Sequence, residues 1–304
     1  MPFPDKCVII ANPAAGRGKA YHKLMYLQEV LDAHHLSYVV KVTNAPYHAT
    51  ELAQQAVKEE FELVVAFGGD GTINEVASGL INTRTALGVI PCGTGNDFIR
   101  SLGIPVNIVR AVKILSEYYR DLIDVGQLNG RYFINGLGIG FDARVNYEAT
   151  RIKRLRGHAL YIIALLKTLR LYQSIEMEIR YKGIRMQRNT YLIALGNGFS
   201  VGGGFRLTPD ARLDDSLFDV CHVSDVGLGT IVRHFPKLFN GRINVVDQVT
   251  MARVPEIHIE SDQEMPVHLD GEVYSMTSHA VTASILPRAL HVVMNKKSTH
   301  YPAA

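Results

Sequence analysis

The 304-residue sequence predicts an α/β class chain: an N-terminal domain with a mostly parallel sheet, followed by an antiparallel β-sandwich or barrel. Three observations carry this expectation. Short apolar, β-branched runs alternate with helical patterns through the first part of the chain. Three of those runs end in small-residue, glycine-rich loops. After Asp124 the alternation gives way to short strand-like runs separated by glycine or polar turns.

Cys7–Ala11 (CVIIA) has the unbroken apolar character of a strand buried on both faces. It ends at 12–19 (NPAAGRGK), which opens a helical pattern over 21–34. The spacing in this loop is neither a Walker A motif nor GxGxxG, and a phosphate loop and a plain strand–turn–helix joint both fit it. A second strand is expected at 38–43 and a helix at 47–60. Residues 63–67 (LVVAF) form the central strand and run into Gly68-Gly69-Asp70-Gly71-Thr72, a turn where backbone can approach a ligand closely with N–H groups outward. A helix is expected over 73–81, with Asn74 and Glu75 in its first turn. The run 86–90 leads to 91–98 (PCGTGNDF), a third such loop. Parallel sheets bind ligands beyond the carboxyl ends of their strands, so the three loops are expected to converge on one rim.

Strands of the second architecture are expected at 131–135, 174–181, 188–196, 217–223, 256–260 and 280–286. The boundary is placed near 125–130, giving domains 1–126 and 127–287. The tail 288–304 returns to the first, with 291–294 as its strand.

Net charge +3, with 47% apolar and 20% charged residues, describes an ordinary globular protein and gives no footing to nucleic acid. Cys7, Cys92 and Cys221 are far apart in sequence and form no CxxC or Cys/His metal spacing, which fits reduced thiols. The N-terminus shows no signal-peptide pattern, and the longest apolar run, 159–166, is far short of the ~20 residues of a membrane span. The expectation is a cytoplasmic protein whose membrane contact is peripheral and transient. A basic helical stretch begins near Ala143 and runs to about Tyr172. Residues 144–188 carry eleven Lys/Arg against three Glu. It reads either as a core helix with solvated charged ends or as a face meeting anionic headgroups.

Asp70 and Asp97 sit in loops of the expected rim, where Asp70 could hold the metal that travels with phosphate. Asp124 is either a junction hydrogen-bonder or a third carboxylate for the same metal. The turn 213–217 (LDDSL) suits a hard cation or a plain hairpin equally. In 268–272 (HLDGE), strand alternation would point Asp270 and Glu272 to one face; a DG hairpin turn is the other possibility. Either acid could accept a hydroxyl proton in phosphoryl transfer, which otherwise needs positioning and charge neutralisation.

Taken in order, NPAAG, GGDGTINEV, GTGNDF, the Gly202–Asp215 elements and DGE resemble the bacterial diacylglycerol kinase-like lipid kinases, over nearly the whole chain. The resemblance implies a nucleotide-binding α/β domain, a β-sandwich domain and ATP in the cleft between them. The family's nucleotide-contacting positions fall on Asn12, Pro13, Ala14, Ala15 and Gly16, on Thr43, on Gly68, Gly69, Asp70, Gly71, Thr72, Ile73, Asn74 and Glu75, and on Thr94. Asp70, Asp97 and Asp124 match an aspartate–water–Mg2+ network. A structural Mg2+ is implied at the Asp215 side chain with the backbone oxygens of Arg212 and Leu217. Ser216 stands where the family has glycine, so a positive φ there would be strained. The general base falls on Asp270 or Glu272, with Asp270 favoured. The implied activity is ATP- and Mg2+-dependent phosphorylation of a lipid hydroxyl such as that of diacylglycerol, at a membrane surface met through 144–188. A homodimer is an open alternative for its assembly. An NAD kinase-type phosphotransferase and a catalytically silent lipid- or nucleotide-binding regulator are the rival readings.

Overall fold

The computed structural model describes residues 3–152 and 158–296. It divides into two compact units, Met1–Val125 with Pro287–Ala304, and Gly126–Leu286.

In the first unit, strands β1 (Cys7–Ala11), β2 (Val39–Val42), β3 (Leu63–Gly68) and β4 (Ala86–Pro91) form a parallel sheet in the order β2-β1-β3-β4. The end of the chain's last strand, Glu272–Val293, adds beside β4 in parallel through Val292 opposite Leu87. Residues 297–304 of the expected tail lie outside the described residues. Helices α1 (Lys19–Ala33), α2 (His48–Lys58), α3 (Asp70–Leu80), α4 (Asp97–Ser101) and α5 (Ile108–Glu117) connect and cover the strands. β1, β3 and β4 are buried along their whole length, as continuous apolar runs must be when both faces of a sheet are covered. On one face Ile9, Val65 and Phe67 pack with Leu27 and Leu31 of α1 and Val112 and Leu115 of α5.

α3 begins at Asp70, three residues before the helical periodicity does. Gly69 is its N-cap with extended backbone, and Asp70 in the first turn complements the positive end of the helix dipole. GGDGT is thus a helix start. α5 carries a signal that strand–helix alternation alone does not single out: the Asn107 side chain caps it by accepting from the Arg110 N–H at 3.0 Å.

β5 (Arg120–Leu128) enters the second unit, where it makes a short hairpin with β6 (Arg131–Phe133). There follow β7 (Gly136–Gly140), α6 (Phe141–Arg151), α7 (His158–Leu171), β8 (Ile175–Tyr181), β9 (Ile184–Gly196), β10 (Phe218–Ser224), α8 (Leu228–His234), α9 (Lys237–Asn240), β11 (Val249–Val254), β12 (Glu256–Leu269) and β13 (Glu272–Val293). The antiparallel order is β11-β10-β9-β7-β12-β13, and β8 pairs with both β9 and β12. The pairings β7–β9–β8–β12–β7 close a circuit, so the long β9 and β12 each serve two neighbours and enclose the core. That core holds Met177, Ile193, Ile259 and Val267, with Phe133 stacked on Phe218 at 5.5 Å between ring centres. A second cluster, around Phe141, Leu192 and Cys221, lies under the helices.

The basic stretch resolves differently from one helical face. Arg144 and Lys167 both pair with buried Glu148. Arg180 and Arg185 pair with Glu178 on the β8–β9 hairpin. The part at 153–157 lies outside the described residues. All three cysteines are buried and unpaired, and burial pushes the Cys7 and Cys221 thiols up to about 12. Among the described residues no helix is long and apolar enough to cross a membrane.

Phe133 is fully buried and meets both Phe218 and the backbone of Gly126. Phe133→Ala should cost about 3–5 kcal/mol of stability, read as a lowered urea midpoint; a loss under about 1 kcal/mol would show that this stack does not organise the second core.

Candidate active site

In the first unit the three glycine-rich loops meet at the carboxyl ends of β1, β3 and β4. Asn12 connects the first to the second: its N–H donates to the Phe67 carbonyl at 3.0 Å, and its Nδ2 donates to Thr72 Oγ1 at 2.9 Å. Its own Oδ1 accepts from the Ala14 N–H at 3.0 Å, which shapes the NPAAG turn. Two glycines record how close the loops come. Gly16 has φ +57, and a Cβ there would stand 2.4 Å from the Cys92 carbonyl oxygen. A Cβ on Gly93 would stand 2.6 Å from the Cα of Gly69.

The Asp70 carboxylate fixes the second loop to the third. Its Oδ2 accepts from the Asn96 N–H at 2.7 Å and its Oδ1 from the Asp97 N–H at 3.0 Å. Asp97, largely buried, receives Arg100 Nη1 at 3.2 Å on Oδ1, and the same guanidinium nitrogen donates to the Gly95 and Asn96 carbonyls. Asp70 Oδ2 and Asp97 Oδ2 both come within 3.5 Å of where a Cβ on residue 95 would stand. Beside these carboxylates is the start of α3, whose first N–H groups have no acceptor within the helix. Such a start attracts anionic oxygen.

The other residues of the first unit named from the sequence take varied places. Thr43 is buried and its N–H donates to the Ala11 carbonyl at 2.9 Å, carrying the β2 ladder one residue further. Thr94 is exposed in the third loop. The Ile73 side chain is fully buried, so what it offers a ligand is backbone. Glu75 Oε2 accepts from the Ala49 N–H at 3.2 Å, which caps α2 in place of its own N-cap residue. Asp124, fully buried, accepts from the Arg288 N–H at 2.8 Å. Among the described residues no three His, Cys, Asp or Glu side chains gather as direct ligands of one metal. The pair Asp70 and Asp97 is what the structure brings together.

In the second unit Asp270 and Glu272 do not share a face. Asp270 (φ +49) and Gly271 (φ +86) are the two central residues of the β12–β13 hairpin, with Leu269 opposite Glu272. Both Asp270 oxygens are engaged by backbone: Oδ2 by the Ile134 N–H at 2.9 Å, Oδ1 by the Asn135 and Gly136 N–H groups at 2.9 and 2.8 Å. Glu272 is exposed at the start of β13. Three peptide donors take three of the roughly four acceptor sites of the Asp270 carboxylate, so the side chain is held by backbone while Oδ2 can still accept from a further donor.

Several supports of this turn escaped the sequence. Buried Asn197 donates to the Ile134 carbonyl at 2.7 Å and buried Asn135 to the Ser200 carbonyl at 2.8 Å, fixing the segment that clasps Asp270. His268 Nδ1 accepts from the Gly271 N–H at 3.2 Å, so its Nε2 carries the proton and donates to Asp142 Oδ2 at 3.1 Å. His268 adjoins the DGE motif and could have been flagged; Asp142 and the two asparagines lie far off in sequence and carry no local signal.

At the LDDSL turn Ser216 has φ +62, the conformation that favours glycine. Holding serine there costs on the order of 1 kcal/mol. Asp215 Oδ1 accepts from the Leu217 N–H at 3.1 Å, its Oδ2 is paired with Arg253, and the Arg212 side chain pairs with Asp214. These contacts engage the Asp215 carboxylate itself, whereas the other two oxygens of the implied Mg2+ site belong to the Arg212 and Leu217 backbone.

Comparison with known proteins bears on both units. Residues 6–128 match the family described as "Diacylglycerol kinase catalytic domain", and residues 136–294 the one described as "YegS C-terminal NAD kinase beta sandwich-like domain". The sequence is 33% identical over 294 residues to the diacylglycerol kinase of Bacillus subtilis, covering 95% of this chain and 96% of that one. It is 32% identical over 267 residues to that of Staphylococcus carnosus, covering 87% of each. Among solved structures, a candidate diacylglycerol kinase from Bacillus anthracis superposes with a TM-score of 0.79 at 29% identity, over 96% of this chain and 98% of that one.

Asp270→Asn replaces one carboxylate oxygen by an NH2 facing peptide donors, so it should destabilise the protein by about 1.5–3 kcal/mol. Glu272→Gln should stay within about 0.5 kcal/mol. Urea unfolding of both variants measures this, and equal stabilities would remove the anchoring role of Asp270.

Proposed function

The chain belongs to the diacylglycerol kinase-like family of lipid kinases, and on that premise we propose that it transfers the γ-phosphoryl group of ATP to the hydroxyl of diacylglycerol or a close lipid alcohol. The observation that supports this most is the convergence of three backbone-rich loops on the start of α3. Phosphoryl transfer depends chiefly on holding the phosphates and neutralising their charge. The N–H groups at the start of α3 and the NPAAG turn would bind the triphosphate. Gly16 and Gly93 keep Cβ atoms out of the space between the loops. Asp70 would serve the nucleotide indirectly, by holding the third loop against the second.

Asp70 and Asp97 suit Mg2+ carried on the phosphates, an ion that takes one or two carboxylates and keeps its remaining positions for phosphate and water. When bound, that ion would neutralise charge developing on the transferred group. Glu272, the more exposed of the two turn acids, is taken here as the proton acceptor, with Asp270 the alternative. It would take the proton from the lipid hydroxyl as that oxygen attacks the γ-phosphorus, while the bond to the leaving ADP breaks. Asp270 positions it by fixing the turn from which β13 starts.

A lipid acceptor would be met at a membrane surface, in a peripheral and reversible contact. NAD kinase chemistry requires a water-soluble acceptor instead, and the lipid kinase relatives argue against it.

The test uses purified protein with γ-labelled ATP and Mg2+, with a total lipid extract in one arm and NAD in another, the product being identified by mass. A labelled phospholipid is expected; label on NAD and none on lipid would replace the proposal with the dinucleotide rival, and ATP binding without turnover on any lipid would favour the silent regulator. Glu272→Gln should lower turnover about 100-fold or more while ATP affinity by calorimetry stays unchanged. Wild-type turnover in that variant would remove Glu272 from the chemistry.

A further inference from the structure

We propose that residues 228–245 of the second unit form a docking face for an anionic lipid bilayer. The proposal deepens the lipid kinase reading and rests on it.

The segment comprises α8, α9 and the 3-10 turn Arg242–Val245. Neither α8 nor α9 has a buried residue. Four large apolar side chains point to solvent: Leu228 is 56% exposed, Val232 64%, Phe239 57% and Val245 61%. Isolated exposed apolar residues are ordinary on a protein surface, but four within one short, acid-free run are a local concentration that suits a partner. The segment is also well seated. Ile231, Leu238 and Ile243 pack into the cluster around Phe141, Leu192 and Cys221, and Phe235 and Phe239 pack edge-on to each other and against Phe205. The outward residues are thus one side of an amphipathic element whose other side is committed to the core.

Charge identifies the occupant. From 226 to 246 the sequence holds no Asp or Glu, while Arg233, Lys237 and Arg242 stand among the exposed apolar residues. Asp225 and Asp247 flank the run at its two ends. Among the described residues none of the three cations is in an ion pair, in contrast to Arg144 and Lys167, which share Glu148. Cations outside ion pairs, interleaved with Leu, Val and Phe, complement the phosphates and the acyl boundary of a bilayer interface. Near an anionic surface each Lys or Arg strengthens binding about fivefold, so three give an attachment that is reversible and salt-sensitive.

The full-length protein is sedimented with vesicles of phosphatidylglycerol and phosphatidylcholine, and with phosphatidylcholine alone, at low and high salt. Two variants are compared with wild type: Arg233→Glu/Lys237→Glu/Arg242→Glu, and Leu228→Ser/Val232→Ser/Val245→Ser. Activity toward detergent-dispersed diacylglycerol and the thermal midpoint serve as controls, since none of these residues belongs to the loops or turn of the candidate site. The charge reversal should weaken binding to anionic vesicles about 100-fold or more, and the apolar variant about tenfold or more, both with detergent activity and midpoint unchanged. Wild-type vesicle binding in folded variants overturns the docking face while leaving the kinase reading standing. A shift in oligomeric state with vesicle binding unaltered overturns it equally, by making the patch a contact between copies. Absence of activity toward any dispersed lipid alcohol, in wild type, removes the kinase reading instead.

Discussion

The first unit depends on one carboxylate placed between two loops. Asp70 receives the peptide N–H groups of Asn96 and Asp97, and each is a bond to a charged acceptor, stronger than a neutral one. Glycine loops have little to hold them, since they lack the side chains that pack. With Asp70 in place the GGDGT and GTGN loops become one surface, and the Asn12 side chain adds the NPAAG loop through Thr72. The parallel sheet brings three loops to one edge; the carboxylate gives that edge a fixed shape.

The second unit repeats the device with a different motif. Asp270 gathers three successive peptide N–H groups from 134–136 and thereby fixes the hairpin from which Glu272 extends. Asp124 takes the Arg288 N–H and Asp215 the Leu217 N–H in the same way. Aspartates that motif reading assigns to metal or proton transfer thus hold backbone in place. Their chemistry with a ligand, where they have any, comes from side chains whose position is already fixed, which suits catalysis by preorganised groups.

Much of the fold could be read from residue patterns because burial on both faces writes continuous apolar runs at Cys7–Ala11 and Leu63–Gly68. The convergence of the three loops followed from the parallel sheet. The interior of the site was less legible. That Asp270 sits in a turn instead of a strand depends on φ at two residues, and DG is compatible with either until the pairing of Leu269 with Glu272 is known. The Glu148 ion pairs join residues four and nineteen apart, and they turned an apparent cationic face into a partly neutralised one. The run at 228–245 drew no notice in the sequence, because its amphipathic character appears only once Ile231, Leu238 and Ile243 are seen packed inward.

The clasped aspartates also bear on how the protein ages. Both Asp70 and Asp270 precede a glycine, the aspartyl pairing most prone to cyclise to a succinimide, because an unhindered amide nitrogen can reach the side-chain carboxyl carbon. Cyclisation requires the carboxyl group to rotate back onto the following peptide nitrogen. Hydrogen bonds from Asn96 and Asp97 in one case, and from 134–136 in the other, hold each carboxylate against a different stretch of backbone. The contacts that shape the two turns therefore also guard their covalent integrity at the positions where isoaspartate would do the most damage.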